Sequence, residues 1–248
     1  MRSGAHVSEF SYFSQATAAI LAGGLGTRLR SVVADRPKIL AEVSGRPFVE
    51  YLLDQLMFVG VKNVVLCTGF MGEQVQEKLG ESYRDLKLYY SREPLALGTG
   101  GALRHALPLI ESDSIIVMNG DSYCDAKLDA FAVWHEARES HATILLTETS
   151  DTRRYGRVHV DDDGKILRFQ EKIQAAGPGW INAGIYLLNR ELVESMPADR
   201  AVSIEREIFP AWIDRGLWGY RSEGRLWDIG VPDAYALANS EFVNSISR

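Results

Sequence analysis

The sequence predicts an α/β fold built on parallel strands, and three observations carry that prediction. Short apolar runs alternate with segments of helical periodicity, in the order strand, helix, strand, helix, strand between residues 16 and 90. The runs are continuous rather than apolar–polar alternating, as in strands covered on both faces. Glycine-rich turns follow two of them, at residues 23–26 and 98–101, where open α/β sheets bind ligands.

The chain has 248 residues, enough for one large α/β domain. Residues 1–15 read as a loosely held tail and 16–248 as a single domain. Hydrophobic content of 46% and charged content of 24% are ordinary for a globular protein. A net charge of −6 argues against general affinity for nucleic acid or an anionic membrane. No apolar run is long enough to span a bilayer, and the N-terminus lacks a secretory pattern. The two cysteines, Cys67 and Cys124, have neither a disulfide framework nor a metal spacing, which fits a reducing, cytoplasmic setting. The five histidines form no ligand-like cluster.

The first strand, Ala16 to Leu21, empties into Ala22-Gly23-Gly24-Leu25-Gly26-Thr27-Arg28. Glycines let backbone N–H groups approach phosphate oxygens, and Arg28 supplies a planar permanent charge. Neither common phosphate fingerprint is present. Leu29 stands where the dinucleotide motif needs its third glycine, and no Gly-Lys-Ser/Thr follows for a P-loop. The alternative is a plain strand-to-helix turn. Pro37 biases Arg36 away from helix, so Lys38 falls on an extended loop near the end of that strand.

A helix follows over Phe48–Val59 and stops at Gly60. Asn63–Thr68 is a buried strand, Met71–Leu79 a helix, and Leu86–Tyr90 a strand. Glu93 and Pro94 end that strand, and Gly98-Thr99-Gly100-Gly101 forms the second glycine turn before a helix. Ser114–Met118 is the next buried strand and runs into Asn119-Gly120-Asp121. A carboxylate at a strand's carboxyl end suits magnesium, which favours one or two carboxylates and keeps other positions for phosphate and water; the alternative is an Asx-turn residue.

Beyond it, Leu128–Glu139 reads as a helix and His141–Glu148 as a strand. Residues 155–169 read as a β-hairpin turning at Asp161-Asp162-Asp163-Gly164. Those aspartates lack calcium-loop spacing and read as a solvated turn. Trp180–Leu188 is a strand holding Asn182 and Gly184, and glycine there often marks close approach of a ligand or backbone. Short helices are expected over Glu191–Met196 and Ile204–Ile213, and a strand over Leu217–Tyr220. Pro232 opens the last helix.

Several motifs occur together in one order: LAGGLGTRLR at 21–30, Pro37-Lys38, PLALGTGGAL at 94–103, Asn119-Gly120-Asp121, Tyr155-Gly156-Arg157-Val158, Glu171-Lys172, NAGIY at 182–186, and WDIGVPDAY at 227–235. In this the chain resembles the sugar-1-phosphate nucleotidyltransferases, or sugar nucleotide pyrophosphorylases, from about residue 16 to about 240. The resemblance implies a Rossmann-like three-layer fold: a mixed, mainly parallel sheet with helices on both faces and an inserted β-hairpin. It implies transfer of a nucleoside monophosphate from a nucleoside triphosphate to a sugar 1-phosphate, with release of pyrophosphate, in a monofunctional enzyme.

By the same resemblance the nucleotide lies against Leu21, Ala22, Gly23, Gly24, Gly26, Thr27, Arg28, Lys38, Glu93, Gly98 and Thr99. Arg28, Lys38, Asp121 and Lys172 are the catalytic set. Asp121 and Asp228 hold Mg²⁺. Gly156, Glu171, Lys172 and Asn182 address the sugar phosphate. Glu93 matches the base-reading position. A carboxylate only accepts hydrogen bonds, and guanine offers adjacent N1–H and N2 donors, so GTP is favoured. Cytosine also offers an amino donor and stays open. Among guanylyl members the compact size resembles D-glycero-α-D-manno-heptose 1-phosphate guanylyltransferases most, with mannose-1-phosphate guanylyltransferases next; thymidylyl or uridylyl transfer and a non-catalytic regulatory subunit are the alternatives. A product of this kind would serve surface polysaccharide synthesis. A homodimer is the expectation for such enzymes. Ile39 and Ile173 stand where proline is common after the family's two lysines.

Overall fold

A computed structural model of the chain describes residues 12–24, 26–170 and 177–246. Eight strands form one sheet: β1 Thr17–Leu21, β2 Asn63–Thr68, β3 Ser82–Tyr83, β4 Leu86–Arg92, β5 Ser114–Asn119, β6 Ala142–Thr149, β7 Gly179–Asn189 and β8 Leu217–Ser222. Their spatial order is β8-β6-β7-β5-β1-β2-β4-β3. β5, β1, β2 and β4 are mutually parallel neighbours. β7 runs antiparallel to both β5 and β6, and β8 rejoins β6 in parallel. The sheet is therefore mixed and mainly parallel, as expected.

Its strands read as continuous apolar runs because both faces are covered. Alternate residues enter different cores. Ala18, Ile20, Val64, Leu66, Ile116 and Met118 pack in one, with the Phe48–Phe58 helix and Phe242 of the Pro232–Ile246 helix. Ala19, Val65, Ile115 and Val117 pack in the other, with Leu103 and Ala106 of the Gly98–Ala106 helix and with Phe209. Burying a large aliphatic side chain is worth about 1.5–3 kcal/mol, so these two cores dominate stability.

Three short ribbons stand apart from the sheet. Arg157–Val160 pairs with Ile166–Gln170 as the expected hairpin. Ser122–Cys124 pairs with Leu226–Asp228, and Glu42–Val43 with Arg46–Pro47.

Some boundaries differ from expectation. Within the segment read as a tail, Tyr12–Gln15 makes a helical turn that buries Phe13 completely. The helix after Leu128 stops at Glu136, and Glu139 takes a left-handed φ of 47° that breaks it. The helix expected over Ile204–Ile213 is a five-residue π turn, Ile204–Ile208, followed by Phe209–Ala211. Lys38 lies in a 3₁₀ turn, Lys38–Leu40, rather than in extended chain. Cys67 and Cys124 are free and buried, which pushes both thiols up to about 12. No helix among the described residues is long and apolar enough to cross a membrane.

His135 is 4% exposed, with Nδ1 2.7 Å from Thr143 Oγ1 and 2.8 Å from Ser140 Oγ. Burial holds its imidazole down to about 4, below the ordinary 6.5. As pH falls, the unfolded chain binds this proton first. Stability is therefore complete above about 6.5, drains between there and about 4, and is flat below. The loss attributable to this group is roughly 3 kcal/mol. Urea unfolding at pH 7.5 and pH 4.5 should show the wild type losing about that much more than His135→Gln; equal losses would remove the assignment.

Candidate active site

The parallel strands end together, and a cavity of about 450 Å³ opens at their carboxyl ends. Leu21 at the end of β1 registers with Cys67 of β2 and Asn119 of β5. The next residues stay pinned to both neighbours: Ala22 N–H donates to Cys67 O at 2.8 Å, and Gly120 N–H to Leu21 O at 2.9 Å. Every residue that the resemblance assigns to the nucleotide lines this one cavity: Leu21, Ala22, Gly23, Gly24, Gly26, Thr27, Arg28, Lys38, Glu93, Gly98 and Thr99. Asp121, Asn119, Gly120, Ile39 and Gly230, with Ala96 and Ala102, complete the wall. Arg28 is exposed there and makes no ion pair among the described residues.

Glu93 closes one side. It follows β4, where its N–H donates to Thr68 O at 2.9 Å. Its Oε2 accepts the Leu97 N–H at 2.9 Å, while Oε1 lies against the first glycine turn. A Cβ added at Gly23 would sit 1.9 Å from that oxygen, so a side chain there would push the Glu93 carboxylate aside. Burial raises the Glu93 carboxyl above its usual range; the Leu97 hydrogen bond and nearby His105 oppose the rise.

The second glycine segment is not the free turn expected. Gly98–Ala106 is already helical from its first glycine. Gly98 has φ +71°, and an added Cβ would lie 2.5 Å from Val202 O. That carbonyl accepts the Gly100 N–H at 2.9 Å and the Gly101 N–H at 3.3 Å. The helix start is thus capped by the 202–204 segment. Thr99 also turns inward: its hydroxyl donates to Glu205 Oε2 at 2.7 Å and accepts the Ile204 N–H at 2.9 Å. Gly98 and Thr99 present backbone and hydrocarbon to the cavity.

The charged end is made by the two strands of one ribbon. Asp121 precedes Ser122–Cys124 and Asp228 closes Leu226–Asp228, with Asp228 opposite Ser122. Ile229 N–H donates to Asp121 O at 2.9 Å, which holds the two aspartates side by side. Each has its own cation. Lys38 Nζ donates to Asp121 Oδ2, and Arg154 Nη2 donates to Asp228 Oδ2 at 3.1 Å. Gly230 leaves room between them: a Cβ there would lie 2.6 Å from Asp228 Oδ1 and 3.2 Å from Lys38 Nζ. Among the described residues no third histidine, cysteine or carboxylate joins the pair. Two carboxylates beside space for water and phosphate fit a hard divalent cation such as magnesium.

The remaining expected residues lie elsewhere. Gly156, with φ 77°, ends the turn after Arg154 and does not line the cavity. Its neighbour Tyr155 faces the charged end: its hydroxyl is raised by burial and by Asp228, with Arg154 opposing and Asp121 adding to the rise. Asn182 sits at a register shift in β7, where Oδ1 accepts the Gly184 N–H at 2.8 Å and Nδ2 donates to the Tyr186 hydroxyl at 3.0 Å. In this state Asn182 shapes the strand. Glu171 and Lys172 lie outside the described residues. Arg154, Asn119 and Gly230 were not singled out as site residues from sequence. Arg154 adjoins the Tyr155-Gly156 motif and Gly230 lies within Trp227-Asp228-Ile229-Gly230, which was the available signal.

A parallel-sheet cavity floored by a glycine turn, with a carboxylate–cation cluster at its mouth, defines a nucleotide-handling transferase. The chain belongs to the nucleotidyl transferase family, whose model matches residues 17–245. It is 32% identical over 230 residues to the D-glycero-alpha-D-manno-heptose 1-phosphate guanylyltransferase of Aneurinibacillus thermoaerophilus, covering 92% of this chain and 99% of that one. It is 31% identical over 237 residues to the mannose-1-phosphate guanylyltransferase of Mycobacterium tuberculosis, covering 94% of this chain but only 66% of that longer protein. Among solved structures, HddC from Yersinia pseudotuberculosis shares 32% identity and a TM-score of 0.79 over 92% of this chain and 99% of its own. The same protein is also known complexed with GMP-PN.

Proposed function

We propose that the protein transfers GMP from GTP to a sugar 1-phosphate, D-glycero-α-D-manno-heptose 1-phosphate before mannose 1-phosphate, and releases pyrophosphate. The observation that carries this reading is the single cavity that gathers the nucleotide set, with Glu93 at one side and Asp121 at the other. Relatives of matching length act on the heptose phosphate by name, which orders the two sugars.

An oxygen of the sugar phosphate attacks the α-phosphorus in line. That P–O bond forms as the bond to the β-phosphate oxygen breaks and pyrophosphate leaves. The attacking phosphate is already ionised, so no general base is needed; positioning and charge neutralisation supply the rate. The glycine turn brings N–H groups to the triphosphate, Arg28 takes the departing β- and γ-phosphates, and Lys38 reaches the α-phosphate. Asp121 and Asp228 would hold Mg²⁺, which neutralises phosphate charge and aligns the two substrates. Lys172 takes the sugar's phosphate, and Glu171, Asn182 and the Gly156 backbone address its hydroxyls. Glu93 accepts the two guanine donors.

Pyrophosphate release measured with GTP, dTTP, UTP, CTP and ATP tests the nucleotide half. The wild type should release pyrophosphate fastest from GTP, and only when a sugar 1-phosphate and divalent metal are both supplied. In Glu93→Gln the kcat/KM for GTP should fall about 10–100-fold while that for UTP or dTTP holds or rises, since a charge-assisted acceptor pair is worth about 1.5–3 kcal/mol. An unchanged base preference would sink the guanine assignment.

A further inference from the structure

The charged end of the site holds one cation more than the family motifs name. Arg154 is half-exposed, and it places one guanidinium N–H on Asp228 Oδ2. Lys38 occupies Asp121 in the same way. Two carboxylates and two cations thus neutralise each other. Each pair engages one oxygen, Oδ2, and Asp228 Oδ1 takes the Gly230 N–H at 2.6 Å, so a divalent ion on the same two carboxylates competes with both cations for carboxylate charge. Loading the site therefore weakens both pairs and favours release of Lys38 and Arg154. Lys38 lines the nucleotide cavity, where a bound triphosphate would take it. Arg154 does not line that cavity. It lies one residue before Tyr155-Gly156, where the resemblance expects the second substrate.

We propose that Arg154 is a phosphate ligand for the sugar 1-phosphate, held in reserve on Asp228 and released when the divalent metal binds. A planar fork freed beside the metal matches a phosphate dianion bidentately. The exchange makes metal loading a precondition for tight sugar-phosphate binding and favours nucleotide and metal entering first. This rests on the reading of Asp121 and Asp228 as metal ligands.

The test titrates Mn²⁺ into the full-length protein, following free Mn²⁺ by electron paramagnetic resonance, for wild type, Arg154→Ala, Arg154→Lys and Asp228→Asn. Removing a competing cation should tighten Mn²⁺ binding about three- to tenfold in Arg154→Ala and leave Arg154→Lys near wild type. In steady-state assays Arg154→Ala should raise KM for mannose 1-phosphate about tenfold or more and leave KM for GTP within about twofold. Unchanged Mn²⁺ affinity in Arg154→Ala, with binding weakened in Asp228→Asn, would overturn the exchange while the metal reading stands. Wild-type Mn²⁺ affinity in Asp228→Asn, or no binding by any form at millimolar metal, would overturn the metal reading and the exchange with it. A rise in KM for GTP instead of the sugar phosphate would place Arg154 on the triphosphate and refute its assignment.

Discussion

Asp121→Asn should lower the single-turnover rate of nucleotidyl transfer by about a thousandfold, or about 4 kcal/mol of transition-state stabilisation. The amide keeps the shape of the side chain but removes the negative charge that would bind the metal and balance Lys38. Folding should survive. The Asp121 side chain is 42% exposed, and the backbone carbonyl that accepts the Ile229 N–H is untouched. The thermal midpoint should therefore stay within a few degrees of wild type while the rate collapses. A rate within tenfold of wild type at saturating nucleotide, sugar phosphate and Mg²⁺ would contradict the metal role.

Lys38→Met should cost about a hundredfold in kcat/KM for the nucleotide, close to 3 kcal/mol. Methionine retains the hydrocarbon stem, which is largely buried at 15% exposure, but presents no charge to phosphate. The double variant Lys38→Met/Asp121→Asn should lose less than the two single losses combined, because the residues form a contacting ion pair before substrates enter. Strict additivity, measured as a double-mutant cycle on kcat/KM, would mean that they act independently.

Much of this was legible from sequence because its physical origin is local. A strand covered on both faces must be apolar at every position, so Ala18 to Ile20 and Ile115 to Met118 declare themselves. A turn that brings backbone this close to a carboxylate without displacing it favours glycine, as at Gly23 beside Glu93. The nucleotide set converges on one cavity because parallel strands end on the same side of the sheet.

What escaped depends on pairings between distant segments. Thr99 lines the nucleotide cavity, yet its hydroxyl bonds Glu205, 106 residues away. Nothing near Thr99 announces that partner. Glu205 also accepts the Ser203 hydroxyl at 3.0 Å and lies 3.4 Å from the Tyr186 hydroxyl, so a π turn ties the nucleotide wall to the strand bearing Asn182. Arg154 reaches Asp228 across 74 residues of sequence. The same holds at the N-terminus, where Phe13 joins a core whose other members come from the rest of the chain.

The most direct test of the central claim offers GTP, dTTP, UTP, CTP and ATP together at equal concentration, with Mg²⁺ and either D-glycero-α-D-manno-heptose 1-phosphate or mannose 1-phosphate. Mass spectrometry then identifies the nucleotide sugar formed. A GDP-sugar is expected as the dominant product, formed faster from the heptose phosphate. A dTDP-, UDP- or CDP-sugar as the main product, or no nucleotide sugar from any combination, would contradict it.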